Sequence, residues 1–107
     1  MEELLKNYEV SYGTLNILEV CENIRTFIDG LFYDYDLDNT IHYDIILSLD
    51  KIKDDIDSCD EDTIEEAYFI YHEELFDKLN CLAPEGYYYG THPGDGACFG
   101  FWQREKL

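Results

Sequence analysis

Two aromatic runs, Tyr87-Tyr88-Tyr89 and Phe99-Gly100-Phe101-Trp102, flank the turn signal Pro93-Gly94-Asp95-Gly96. Bulky residues separated by proline and glycine in this order are the pattern of two antiparallel strands joined by a tight turn, so a β-hairpin is expected from Tyr87 to Trp102. The stretch Tyr8-Glu9-Val10-Ser11-Tyr12 alternates weakly and stops at Gly13, as a third strand beside the hairpin would. An isolated hairpin is marginal in water, so the rest of the chain has to cover one of its faces.

From Asn16 the hydrophobic period changes to that of a helix. Ile17, Val20, Cys21, Ile24, Phe27, Ile28 and Leu31 recur at steps of three and four, behind Asn16 and Glu19 in a capping-box arrangement. The segment Phe32 to Thr40 interrupts the period with alternating aspartates. A second helix is expected from about Tyr43 to Ser58, with Ile45, Leu49, Ile52 and Ile56 on one side and Asp50, Asp54 and Asp57 opposite. Asp60 or Asp62 then caps a third, running to about Leu82. Its core face would be Ile64, Ala67, Tyr68, Tyr71, Leu75 and Leu79, with Pro84 beyond its end. The expected fold is α+β: three helices packed on a small two- or three-stranded antiparallel sheet with a C-terminal β-hairpin, in a single domain over residues 1–107.

Charge narrows the choice of partner. The chain carries 25 Asp and Glu against seven Lys and Arg, a formal net charge of −18 over 107 residues. Such a field repels DNA, RNA and anionic membranes, so a direct nucleic-acid or membrane partner is not expected and a basic protein is. The acid is also concentrated. Residues 34–77 hold 16 of the 25 carboxylates and only Lys51 and Lys53. If the third helix is regular, Asp62, Glu66, Glu73 and Asp77 fall within a wedge of roughly 60° opposite its apolar face. The stripe would be about 22 Å long, enough to imitate a stretch of phosphate backbone. Phe69 falls beside this stripe, either as an anchor for a partner or reaching sideways into the core. Like charges four apart destabilise a helix slightly, which sets the arrangement apart from a merely solvated face.

Other chemistry is less well supported. Asp34, Asp36, Asp38 and Asn39 resemble the first half of a calcium loop, with oxygens at alternate positions. The twelfth position, however, is Ile45 where a bidentate carboxylate belongs, and Asp44 comes one residue early. A turn with solvated aspartates is the simpler expectation, with Asp34, Asp36 and Asp38 left as weak cation candidates. Cys21, Cys59, Cys81 and Cys98 form no CxxC pair, and their spacing with His42, His72 and His92 does not make a zinc site. No cofactor is implied. His92, Asp95 and Cys98 lie close together across the hairpin turn, where a metal or hydrolytic site could be imagined, but no oxyanion site or pocket accompanies them. Local hydrogen bonds that fix the turn are the expected role of His92 and Asp95, and no enzymatic activity is expected. With no apolar span and no basic-then-apolar start in MEELLKN, a cytoplasmic location is expected.

The segment Ala83-Pro84-Glu85-Gly86-Tyr87-Tyr88-Tyr89-Gly90-Thr91-His92-Pro93-Gly94-Asp95-Gly96, continuing to Phe99-Gly100-Phe101-Trp102, resembles small acidic proteins of phages and mobile elements, as does Ser11-Tyr12-Gly13-Thr14-Leu15. The resemblance covers about a fifth of the chain and transfers no site residues. It implies a mobile-element context, in which a recurrent role of small acidic proteins is anti-restriction or anti-CRISPR inhibition. The functional expectation is therefore a phage-type inhibitor acting as an acidic DNA mimic on a host nuclease or effector. The surface would comprise Asp54, Asp57, Asp62, Glu66, Phe69, Glu73 and Asp77, blocking a basic nucleic-acid-binding site. The alternative is an adaptor or dimerisation module using an exposed aromatic face of the hairpin.

Overall fold

A computed structural model of the chain describes residues 2–104. One helical turn, α1 (Glu2–Leu5), leads into β1 (Glu9–Ser11). The long helices α2 (Ile17–Tyr35) and α3 (Asn39–Asp57) follow, and then α4 (Glu61–Phe69). α4 continues without a break through a π-helical stretch, Ile70–Leu75, into α5 (Phe76–Asn80), and the chain ends in the hairpin β2 (Tyr87–His92) and β3 (Asp95–Gln103). The sheet is antiparallel in the order β1-β3-β2, so the expected third strand is present, paired to β3. The architecture is α+β, with the helices on a three-stranded sheet. Among the described residues no helix is long and apolar enough to cross a membrane.

The caps explain the helix boundaries. Asn16 Oδ1 accepts from the N–H groups of Leu18 and Glu19 (3.0 and 3.2 Å), as an N-cap should. The reciprocal half of the capping box is relayed: Glu19 accepts from the Thr14 hydroxyl, and that hydroxyl accepts from the Asn16 N–H. The interruption expected over residues 32–40 shrinks to three residues. α2 runs on to Tyr35 and stops where Asp36 turns left-handed (φ 55°), and α3 starts at Asn39 rather than Tyr43. Its start is set by Asp38, whose Oδ1 accepts from Thr40 and Ile41 N–H. Of the two cap candidates for the third helix, Asp60 takes the role, accepting from Asp62 and Thr63 N–H.

The third helix departs most from expectation. Ala67, Tyr71, Leu75 and Leu79 are all buried, at a strict spacing of four. In a regular α-helix each four-residue step drifts by about 40°, so three steps would carry Leu79 about 120° off the core face. A π turn has more residues per turn and takes up that drift. The cost falls on Tyr68, expected in the core but 46% exposed, while Ile70 is buried in its stead. α3 is tied to this helix by Lys78, whose Nζ donates to Ser48 Oγ (2.7 Å) and the Asp44 carbonyl (3.2 Å). It is tied to α2 by His42, which lies 2.9 Å from Asp29 and stacks on Phe32.

The hairpin supplies the sheet side of the core. Tyr89, Phe99 and Phe101 face the helices, with Phe101 fully buried against Phe27 and Tyr89. The opposite face is not left open. Gly90 pairs with Gly100; the missing side chain of Gly100 makes room for the Trp102 indole, whose Nε1 donates to the Gly90 carbonyl (3.0 Å), and that of Gly90 makes room for the Tyr88 ring. A Cβ on Gly100 would overlap the Tyr8 carbonyl oxygen and come within 2.8 Å of Trp102 Cζ2. Trp102 is only 7% exposed, so the second aromatic face of the hairpin cannot present that residue to a partner, and Tyr88 opposite it is half-buried.

Candidate functional site

Asp54 and Asp57 project from α3, Asp62 and Glu66 from α4, Glu73 from the π turn and Asp77 from α5, and all six are exposed. Among the described residues none of them forms a salt bridge. The nearest compensation is Lys51. Its ammonium is held above the usual lysine range chiefly by the Asp55 carboxylate, with smaller contributions from Glu66 and Asp54. α3 and α4 pack against each other, so these exposed carboxylates lie on adjoining helices.

The π turn alters the shape of this surface. A widened turn of this length rotates the following residues by roughly 100° relative to a regular helix. Glu73 and Asp77 therefore swing to the other flank of Asp62 and Glu66, and the wedge opens from roughly 60° to roughly 90°. The result is a band wider than the narrow stripe that α-helical periodicity implies. Phe69, at the end of α4, is 60% exposed, which excludes the alternative of a side chain reaching into the core. Tyr68 beside it and His72 one turn later add a partly exposed aromatic strip, with the Tyr68 and His72 rings stacked at 6.4 Å.

Asp55 is the residue that periodicity missed. It is 4% exposed and faces the core side of α3. Oδ1 accepts from Lys51 Nζ (2.9 Å), while Oδ2 has no partner among the described residues. The lysine four residues earlier was the available signal, since an i,i+4 pair of this kind spans one helical turn.

The other candidate groups are not assembled for chemistry. The supposed calcium window, residues 34–45, is largely helix: Asp34 lies in the last turn of α2, Asp36 is its left-handed cap, and the Asp38 carboxylate is spent on capping α3. Only three residues separate the helices, so the loop that would wrap a cation does not exist. Among the described residues no cluster of His, Cys, Asp or Glu has a geometry suited to holding a metal ion.

At the hairpin turn His92 Nδ1 accepts from Gly94 N–H (2.9 Å), and Asp95 Oδ1 accepts from Ala97 N–H (3.0 Å). These are the turn-fixing bonds expected of them. Cys98 lines a shallow hollow with His92, Asp95 and Glu9. Burial pushes its thiol up, and the Glu9 and Asp95 carboxylates push it further. A thiol whose protonated form is favoured by burial and by neighbouring carboxylates is a poor nucleophile. Compared with protein-family models, curated sequences and solved structures, the chain matches none of them.

Proposed function

We propose that this protein is a non-enzymatic inhibitor that offers the acidic band of α3, α4, the π turn and α5 to a basic nucleic-acid-binding site on another protein. One observation carries the reading: six exposed carboxylates, none in a salt bridge among the described residues, and an exposed phenylalanine lie on helices that pack against one another. Unpaired carboxylates at this density repel one another, and a partner rich in lysine and arginine relieves that repulsion. Phe69 gives the contact an apolar anchor that a solvated face has no use for. The resemblance of residues 83–102 to phage and mobile-element proteins supports a host nuclease or effector as the target, which would place the protein in the host cytoplasm. The mechanism is competition with DNA or RNA for the same cations, so binding weakens as salt rises.

The test is capture from host lysate on the immobilised protein, with the captured proteins identified and challenged by duplex DNA and by salt. A nucleic-acid-binding protein that DNA displaces is the expected result. The variant carrying Glu66→Lys, Glu73→Lys and Asp77→Lys should lose capture with an unchanged melting temperature, because all three side chains are exposed and unpaired. Undiminished capture by that variant would refute the mimicry.

A further inference from the structure

A second surface lies between α2 and β1, on elements outside the acidic band. It is a groove of about 320 Å³ whose walls include Tyr8 and Val10 of the β1 segment and Phe27 and Leu31 of α2. Gly30 of α2 lies in its lining. A glycine inside a helix is unfavourable relative to alanine and usually has a conformational or packing reason. Gly30 has neither within this chain. It does not adopt the left-handed backbone, and a Cβ placed on it would meet nothing within 4 Å. What the missing side chain does is keep the groove open.

The walls also specify what could enter. β1 is an edge strand, so one side of its backbone has no strand partner, and edge strands are templates for adding an extended segment. Along it Tyr8 and Val10 are half-buried on the α2 side, while Glu9 alternates outward and borders the hollow that contains Asp95. The charged residues in the groove lining are Glu9 and Asp34, and no lysine or arginine is among them. A strand added here would set every second side chain against the α2 wall, Phe27 and Leu31 with Asp34 at its end, and the intervening ones toward the side of Glu9 and Asp95.

We infer that the groove between α2 and β1 docks an extended segment of a partner protein in which apolar side chains alternate with lysine or arginine. This site uses different elements from the acidic band and stands or falls independently of it.

The experiment is a titration of the ¹⁵N-labelled protein with a short synthetic peptide alternating leucine and lysine, alongside the same peptide with glutamate in place of lysine. Amide shifts should move at Val10, Thr26 and Gly30, for the lysine peptide only. Gly30→Phe, which fills the groove from an open position, should abolish them. The variant lysine-substituted at Glu66, Glu73 and Asp77 should retain them. If Gly30→Phe does not keep its circular dichroism, Asp34→Lys at the exposed end of α2 serves instead and should weaken binding about three- to tenfold. Shifts centred on α4, or binding unchanged in both groove variants, overturn the inference. So do groove shifts that follow protein concentration without peptide, which would assign the groove to a second copy of this chain.

Discussion

Replacing Gly100 by alanine tests whether the hairpin's glycines are there for packing. The added Cβ would overlap the Tyr8 carbonyl oxygen, approach Trp102 Cζ2 at 2.8 Å and Glu9 Cα at 3.1 Å. Carbon atoms pack at about 3.5–4.0 Å, so β1 and the indole must both retreat by on the order of 1 Å. Two hydrogen bonds depend on their present positions: Phe101 N–H to the Tyr8 carbonyl (2.9 Å) and Trp102 Nε1 to the Gly90 carbonyl (3.0 Å). Losing these at about 1 kcal/mol each, with about 1–3 kcal/mol of overpacking, puts the destabilisation at about 3–5 kcal/mol. For a domain of this size that lowers the melting temperature by roughly 15 °C. Gly96→Ala is the matched control, because a Cβ there meets nothing within 4 Å. Thermal unfolding by circular dichroism reads the difference. Trp102, the single tryptophan, reports the local opening as a red shift of native-state fluorescence. A Gly100→Ala protein that melts with Gly96→Ala and keeps its emission maximum would refute the packing argument.

Cys59 holds the left-handed position after α3 (φ 59°), where a side chain is strained, so Cys59→Gly should raise stability by about 1 kcal/mol in urea unfolding. With a thiol reagent at mildly alkaline pH, the exposed Cys59 and Cys81 should react at once and the buried Cys21 and Cys98 only at the rate of opening. Four equally fast thiols would contradict the burial pattern. Burial pushes the Cys21 thiol from its ordinary 9.0 up to about 12, so folding favours the protonated form. The corresponding stability is fully present below pH 9 and is lost as pH rises toward 12, by at most about 1.4 kcal/mol per pH unit from this group. Urea midpoints from pH 8 to 10 should therefore fall less steeply in Cys21→Ala than in the parent.

Local chemistry was enough to read much of this fold. The cap at Asn16 is legible, and that of the third helix is narrowed to Asp60 or Asp62, because a side-chain oxygen ahead of an apolar period has one obvious use; the structure employs Asn16 and Asp60. The hairpin is legible from its turn residues, and so are the turn-fixing roles of His92 and Asp95, since each bonds a backbone N–H two residues away. The start of α3 was less so. Asn39 to His42 carry little apolar period, and the aspartates before them suit a loop, a cap or a cation equally well; only the packing of α2 against α3 makes Asp38 a cap.

The same limit applies to the candidate surface. That residues 34–77 hold most of the negative charge is a property of the chain and holds in any fold. Where those charges point is not. Helical periodicity assumes one pitch from end to end, and the core required another: keeping Ala67, Tyr71, Leu75 and Leu79 in contact with the sheet and α3 called for a π turn. That turn broadened the acidic band and put Tyr68 outside. The alternation of the hairpin likewise gives two aromatic faces, yet the burial of Trp102 against Gly100, with its Nε1 on the Gly90 carbonyl, depends on a cross-strand register absent from any single strand. The elements and the total charge thus follow from neighbours along the chain. Which residues of those elements reach the surface follows from long-range packing, because burial is settled between elements and not within them.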